Sequence, residues 1–170
     1  MTTHDPIPHS AEERFRAVLE QAPFSIQIIA PDGRILRVNR AWEELWGVTL
    51  EQIEGYNILE DRQLVEKGVM PYLRRAFAGE AVEIPQILYD PDETIPGATR
   101  HARPRRWTKA VAYPIKDGGG RVLEVVLIHE DVTARVAAEE RYRSLLENAN
   151  DIIYAHDLEG NYLSINRAGA

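Results

Sequence analysis

A near-repeat of twelve residues constrains this chain more than any other feature of its sequence. The stretch "AEERFRAVLEQA" at 11–22 returns as "AEERYRSLLENA" at 138–149, which is 127 positions later. With that offset, fourteen of the thirty-one positions in 11–41 are identical, and the last three read "NRA" in both copies. A solenoid unit has only about 20–50 residues, so this period is far too long for one. The sequence therefore predicts one whole domain followed by the start of a second.

The opening stretch of each copy has the pattern of an amphipathic helix. Apolar residues recur at the spacing i, i+3, i+4, i+7, and charged residues occupy the other face. This pattern is typical of a helix that lies on the core of its own domain, and equally of a helix shared with a partner chain. The apolar positions are Phe15, Val18, Leu19 and Ala22 in the first copy and Tyr142, Leu145, Leu146 and Ala149 in the second.

Between the copies, the sequence predicts two strands, several short helices and then three strands. The runs at 25–30 and 34–39 flank "PDG" and predict a hairpin. Residues 61–79 read as a helix that Pro71 interrupts. This order indicates an α+β domain, in which a five-stranded antiparallel sheet carries its helices on one face. The last three strands are predicted at 81–90, 106–116 and 121–131.

The domain boundaries follow from the position of the repeat. Thr133 comes directly after the last predicted strand and is expected to cap a connector helix, which is also the helix that opens the second copy. The predicted division is a disordered tail at 1–10, a domain at 11–133, the connector helix at 134–150 and the truncated start of a second domain at 151–170.

Composition limits the functions that are open to the chain. Without cysteine there can be no disulfide, thiolate nucleophile or cysteine zinc site. No nucleophile motif or metal-binding histidine pattern is present, so neither a catalytic residue nor a metal site is predicted. The net charge of −7 argues against non-specific nucleic-acid binding. No apolar run approaches the length of a membrane span, and a cytoplasmic location is expected.

Taken in order, these segments resemble the PAS sensor domains of bacterial signalling proteins. The resemblance rests on "PDGRILRVNRAWEELWG", "TLEQIEG", "WTKAVAYP" and "IKDGGGRVLEVVLIHEDVT", and it covers residues 11–133 with a second onset at 138. It implies the PAS fold, flanked here by an N-terminal amphipathic helix and a C-terminal connector helix. The tandem arrangement also implies the input region of a two-component sensor histidine kinase, with the kinase and other downstream domains elsewhere in the polypeptide.

One segment departs from the family pattern. The stretch "PDETIPGATRHARPRR" at 91–106 is longer than the usual turn between these strands and contains a basic cluster. The cluster is either a solvated loop balanced by nearby acidic residues or a contact for an anion or a partner. Its members are Arg100, His101, Arg103, Arg105 and Arg106.

No cofactor is predicted from the resemblance. Haem-binding PAS domains place a histidine on the long helix before the third strand, and residues 61–79 contain none. Flavin photochemistry of the light–oxygen–voltage type requires a cysteine, which this chain lacks. A chromophore-bound redox or light sensor, with haem or a non-covalently bound flavin, is left open as an alternative function.

Strand alternation predicts which side chains line a cavity between the sheet and the helices. The strand faces turned toward the helices are mostly apolar, and a buried polar group without a partner costs about 1–3 kcal/mol. The few polar groups there therefore bind a small-molecule ligand, bond with one another, or face solvent because the register is shifted by one. The candidate ligand-binding residues are Gln27, Gln86, Thr108 and His129.

His129 also lies one residue before "EDVT", where the sheet leads into the connector helix. A ligand, or a change of protonation near neutral pH, would alter how Asp131 and Thr133 are presented. These two residues are the predicted signal relay. The alternative is a neutral histidine with a satisfied hydrogen bond.

The opposite face of the sheet is apolar as well and needs a cover. The helix at 11–22 or a second copy of the domain is expected to supply it, so a homodimer is predicted. A ligand-free module for protein–protein interaction and dimerisation is thus the rival function. The predicted dimer contacts are Phe15, Val18, Leu19, Ala22, Val126 and Ile128.

Overall fold

Five antiparallel strands in one sheet organise the first part of the chain, with the spatial order β2-β1-β5-β4-β3. The structure is a computed structural model that describes residues 10–95 and 105–169. The predicted α+β class is confirmed. The elements are α1 (Ala11–Gln21), β1 (Ser25–Ile29), β2 (Ile35–Val38), α2 (Arg40–Trp46), 3-10 turns at Glu51–Ile53 and Ile58–Glu60, α3 (Arg62–Glu66), α4 (Met70–Phe77), β3 (Val82–Tyr89), α5 (Pro91–Thr94), β4 (Arg106–Lys116) and β5 (Val122–Asp131).

Two compact units divide the chain, the first ending at Asp131 and the second beginning at Val132. The second unit contains α6 (Thr133–Glu147) and a hairpin of β6 (Tyr154–His156) and β7 (Tyr162–Ile165). Val132 is the N-cap of α6 and makes no side-chain capping bond. The prediction that Thr133 caps this helix is therefore wrong, since Thr133 is already its first helical residue.

A capping box starts α1. The Ser10 hydroxyl accepts a hydrogen bond from the backbone N–H of Glu13, and the Glu13 carboxylate accepts one from the backbone N–H of Ser10. The helix ends at Gln21, so Ala22 is an extended C-cap residue rather than the last residue of an apolar stripe.

The segment predicted as one helix at 61–79 forms two helices. Gly68 has φ of +72° and separates α3 from α4, so the break precedes the residue that was expected to cause it. Pro71 instead lies in the first turn of α4. A backbone N–H in that turn has no intrahelical acceptor, so proline is tolerated there.

A bulge in β3 changes which residues face the helices. Ile84 pairs with Ala110, but the next pair joins Ile87, and not Gln86, to Thr108. One extra residue reverses the alternation of the strand beyond it. Gln86 is consequently exposed, and the prediction that it faces the cavity is wrong. Pro85, which has no N–H to donate, lies at this bulge on an edge strand, where proline is tolerated.

The main core lies between one face of the sheet, here called the inner face, and the helices α2–α4. Trp42 from α2 and Leu73 from α4 are essentially inaccessible to solvent. They pack in one cluster with the inner-face residues Ala112, Val125 and Leu127. The opposite, outer face carries a smaller cluster of Leu19, Ile28 and Val126.

Asn39 and Asn166, which occupy the same position in the two copies of the repeat, make corresponding hydrogen bonds. The Asn39 amide donates to the carbonyls of Leu19 and Phe24 at 3.0 and 2.8 Å, and its oxygen accepts from the N–H of Ile26 at 2.9 Å. Asn166, in the second unit, makes the same three bonds with partners that are each 127 residues further along. Those partners are Leu146, Asp151 and Ile153, at distances of 3.0, 2.9 and 2.9 Å.

Candidate functional site

A cavity of about 50 Å³ lies between the inner face of the sheet and the helices. Most of its lining is apolar and includes Trp42, Trp46, Leu64, Leu73 and Ile84. A cavity holds one water molecule for about each 10–15 Å³ of such volume, whereas pockets for drug-sized ligands have about 300–1,000 Å³. In this conformation the cavity therefore accommodates only a few water molecules or a very small ligand, and a larger ligand requires the helices to move outward.

Three of the four predicted ligand-binding residues line this cavity: Gln27, Thr108 and His129. Gln27 is buried, and its side-chain oxygen accepts a hydrogen bond of 2.7 Å from the Trp42 indole N–H. Thr108 is only 4% exposed, and its hydroxyl has no hydrogen-bond partner among the residues that the structure describes. Gln86 is the exception, because the β3 bulge turns it outward.

His129 is held by two contacts on the inner face. Its Nδ1 lies 3.2 Å from the Ser25 hydroxyl, and its ring meets the Trp46 ring edge-on with 5.4 Å between centroids. Burial lowers the pKa of His129 to about 4, and a hydrogen bond with Ser25 opposes the shift only in part. The imidazole is therefore neutral at pH 7, and the suggested protonation change near neutral pH does not fit this environment.

Sequence reasoning missed a buried polar cluster beside the cavity, centred on Asp61. Asp61 is 3% exposed, and its Oδ2 accepts hydrogen bonds from the hydroxyls of Tyr56, Tyr89 and Thr94 at 2.6, 2.5 and 3.0 Å. Burial is the main cause that raises the pKa of Tyr56 and of Tyr89 far above the usual range, and the Asp61 carboxylate raises both further. Both phenols therefore stay protonated and act as donors.

The same carboxylate caps α3. Its Oδ1 accepts from the backbone N–H groups of Gln63 and Leu64 at 2.9 and 3.3 Å. The Gln63 amide in turn accepts a 3.0 Å hydrogen bond from the backbone N–H of Asp90, just beyond β3. Asp61 thus ties the helix that covers the cavity to the end of an edge strand. An aspartate before a helix is readable from sequence, but its distant hydroxyl partners are not.

Asp131, the first residue of the predicted signal relay, lies on β5 next to the cavity residue Thr108. Thr108 pairs with Asp131 in the β4–β5 ladder, and Asp131 is the last residue of β5. The Asp131 carboxylate forms an ion pair with the guanidinium of Arg106 at the start of β4. The Arg106 Nε is buried and has no hydrogen-bond partner among the described residues. Thr133 lies in the second unit, as the first residue of α6.

The predicted dimer residues fall into two groups. Leu19 and Val126 are buried together within one domain, and Ile128 packs against them. Phe15 and Val18 are 47% and 72% exposed. The helix α1 thus covers part of the outer face, and Val111 and Tyr113 on the same face stay 43% and 38% exposed. Ala22 is partly buried.

Only part of the basic cluster falls within the described residues. Arg100, His101 and Arg103 lie outside them. Arg105 lies 3.8 Å from the Asp90 carboxylate, and Arg106 pairs with Asp131. Arg105 and Arg106, the two arginines of this cluster that the structure describes, therefore each lie beside a carboxylate.

Comparison with known proteins agrees with this architecture. A family model described as "PAS fold" matches residues 19–137, and the chain belongs to that family. The biofilm dispersion protein BdlA of Pseudomonas aeruginosa is 37% identical over 151 residues, which are 80% of this chain and 31% of that protein. The chain thus spans about a third of the length of this curated relative.

Two solved structures show the same fold. The PAS domain of BvgS from Bordetella pertussis has a TM-score of 0.52 and 22% identity, covering 81% of this chain and 98% of that one. An RNA-binding light–oxygen–voltage receptor has a TM-score of 0.58 and 22% identity, covering 85% of this chain and 41% of that one.

In the part of this chain that the structure describes, no helix has the length and apolar character needed to cross a membrane.

Proposed function

We propose that the first unit is a sensory module that binds a small molecule in the cavity and passes the change to the helix α6. The proposal combines membership of the PAS family with a cavity on the inner face of the sheet. A ligand shifts a conformational equilibrium only when it binds one arrangement better than the other. A ligand that requires α3 and α4 to move outward meets this condition, because it selects the expanded arrangement.

The observation that carries the proposal is the position of Thr108, which is 4% exposed, lines the cavity and makes no side-chain hydrogen bond to another described residue. A polar group of a ligand can bond to its hydroxyl. Gln27 and His129 on the same wall offer further polar atoms, which would orient the ligand in an otherwise apolar pocket.

The signal would leave the cavity along β5. Thr108 and Asp131 are paired in the ladder, so a ligand that displaces Thr108 also displaces the end of β5. The Arg106 guanidinium holds Asp131 there, and α6 begins two residues later at Thr133. Asp131 and Thr133 are thus proposed as the relay to the domain that follows.

We also propose that the module is part of a larger cytoplasmic signalling protein with tandem PAS domains, and that a sensor histidine kinase is its effector. The shared hydrogen bonds of Asn39 and Asn166 support a second PAS domain that starts with α6. The match to only 31% of BdlA is consistent with an input region within a longer polypeptide. The kinase rests on the resemblance of the tandem arrangement alone.

Native mass spectrometry of the purified chain tests ligand binding. We expect a bound small molecule with the wild-type protein and its loss in Thr108→Leu, because the larger side chain fills the cavity. Val111→Leu is the matched control, since Val111 lies on the same strand but is exposed on the outer face. A wild-type protein that repeatedly carries no small molecule supports the ligand-free interaction module instead. A coloured preparation would indicate a chromophore.

A further inference from the structure

The Trp42 indole fixes the orientation of the Gln27 side chain. Gln27 is 4% exposed, and its side-chain oxygen accepts a 2.7 Å hydrogen bond from the indole N–H of Trp42. An indole N–H can only donate, so a reversed amide would place two donor groups against each other. The Gln27 oxygen is therefore committed to Trp42, and the two N–H donors of the amide remain for another partner.

These two donors border the cavity. The amide nitrogen of Gln27 makes no hydrogen bond to another described residue. In the described part of the chain, the Arg106 Nε is the one buried side-chain nitrogen or oxygen that has neither a hydrogen-bond partner nor contact with open space. The Gln27 nitrogen, which has no partner either, must therefore border open space. The cavity is the space that Gln27 lines, so its amide donors are available to a ligand there.

Thr108 does not define the class of ligand in the same way. It lines the cavity and makes no side-chain hydrogen bond to another described residue. A hydroxyl both donates and accepts, so Thr108 can bind either a donor or an acceptor of a ligand. Gln27 discriminates between the two, because its acceptor is already occupied.

The lining of the cavity, as far as the structure describes the chain, offers no unpaired charge to an ionic ligand. Lys109 belongs to the lining, but its side chain is exposed and its ammonium lies 2.9 Å from the Glu130 carboxylate. His129 is neutral at pH 7, because burial lowers its pKa to about 4. The other side chains are uncharged, and most are apolar. An ion that entered this cavity would lose its hydration without gaining a counter-ion, which is costly.

We propose that the cavity selects a small uncharged molecule that presents a hydrogen-bond acceptor, such as the oxygen of a ketone or an amide, to the NH2 group of Gln27. The inference rests on the proposed function, because it assigns the ligand class of that same cavity. A hydrocarbon of the same shape would leave the Gln27 donors buried without a partner, which disfavours its binding. Gln27 is thereby the residue that determines specificity.

The test compares three probes with the full chain at pH 7: acetone, isobutene and acetate. All three have a planar arrangement around one trigonal carbon and nearly the same size, but only acetone is both uncharged and an acceptor. NMR titration measures affinity and follows the side-chain NH2 signals of Gln27. We expect acetone to bind at least about tenfold more tightly than isobutene, to shift a Gln27 amide proton downfield, and to bind more tightly than acetate.

Two results separate this inference from the proposed function. Equal binding of acetone and isobutene, or tighter binding of acetate than of acetone, overturns the assignment of ligand class but leaves a ligand-binding cavity intact. Failure of all three probes to bind the wild-type chain contradicts the proposed receptor function as well.

Gln27→Met is the matched variant, because methionine has a similar length and no N–H donor. It should lower the affinity for acetone to that for isobutene and leave isobutene binding unchanged. Gln86→Met is the control, since Gln86 is exposed on β3, and it should keep the preference. An unchanged preference in folded Gln27→Met contradicts the role of Gln27. If that variant does not fold, the wild-type signals decide: a Gln27 amide proton that acetone does not shift also contradicts it.

Discussion

At the scale of single residues, His129 shows how burial sets the properties of a side chain. It lies on the inner face of β5, bonded to Ser25 and in edge-on contact with Trp46. Burial lowers its pKa from the usual 6.5 to about 4, although a hydrogen bond with Ser25 acts in the opposite direction. The folded chain therefore contains a neutral imidazole at a pH where the unfolded chain already binds a proton.

This difference predicts a pH dependence of stability. Because the unfolded state binds more protons below pH 6.5, the contribution of His129 is fully present above that value and is lost as the pH falls toward 4. Over this window we expect wild type to lose about 1–3 kcal/mol more of its free energy of unfolding than His129→Gln, which has no imidazole to protonate.

Urea denaturation of both chains at several pH values measures the difference. Comparison with His129→Gln removes the contribution of the carboxylates, which titrate in both chains. Parallel stability curves for the two proteins, or an imidazole NMR titration centred near 6.5, would show that His129 is not in the environment described here.

At the scale of elements, the turn between β1 and β2 depends on a glycine for two separate reasons. Gly33 has φ of +89°, and a Cβ at this position would lie 2.1 Å from the side-chain oxygen of Asn57. Asn57 cannot easily retreat, because its amide donates a 2.8 Å hydrogen bond to the Asp32 carbonyl. Gly55 has a similar φ of +86°, but a Cβ added there would meet nothing within 4 Å.

Substitution of these two glycines separates steric conflict from backbone strain. Gly55→Ala should cost about 1 kcal/mol, from the left-handed backbone alone. Gly33→Ala should cost about 1–3 kcal/mol more, because it also displaces Asn57 and the 3-10 turn that Asn57 begins. Equal unfolding free energies for the two variants would contradict the close contact with Asn57.

The strands show why some elements are predictable and others are not. In β4 and β5 the alternation continues without a break around the inner-face positions, so the sequence correctly placed Thr108 and His129 toward the helices. In β3 the same reasoning failed after Ile84, since a bulge adds one residue that no periodicity reveals. A proline within a predicted strand is the available sign of such a bulge, and here Pro85 directly precedes Gln86.

The residues that line the cavity could be predicted only where the alternation of a single strand sets their direction. Asp61 accepts hydrogen bonds from the hydroxyls of Tyr89 and Thr94, which are 28 and 33 positions further along the chain. Its role therefore depends on how separate elements pack together. A buried carboxylate is also contrary to the usual expectation that aspartate is exposed. The sequence therefore indicated a mostly apolar cavity with a few polar groups but not the charge beside it.

At the scale of the whole molecule, the outer face of the sheet predicts association. Phe15, Val18, Val111 and Tyr113 are exposed apolar residues, of which the last two lie on the outer face that α1 covers only in part. We expect a homodimer with about twice the chain mass of 19.3 kDa. Val18→Glu should shift the protein toward monomer, because it places a charge in the proposed interface.

Multi-angle light scattering at micromolar concentration measures the mass of each protein. Val65→Glu is the control, since Val65 is 56% exposed on α3, away from the outer face. It should leave the dimer unchanged. A wild-type monomer, or equal effects of the two charged substitutions, would contradict dimerisation through α1.

The central claim is that the inner face of the sheet forms the wall of a ligand site. A crystal structure of the natively purified chain tests it most directly, through the electron density between the sheet and α3 and α4. We predict continuous density larger than a water molecule, within hydrogen-bond distance of the Thr108 hydroxyl, with the helices displaced outward. Density for water alone, in a cavity that keeps its present volume of about 50 Å³, would contradict the receptor function.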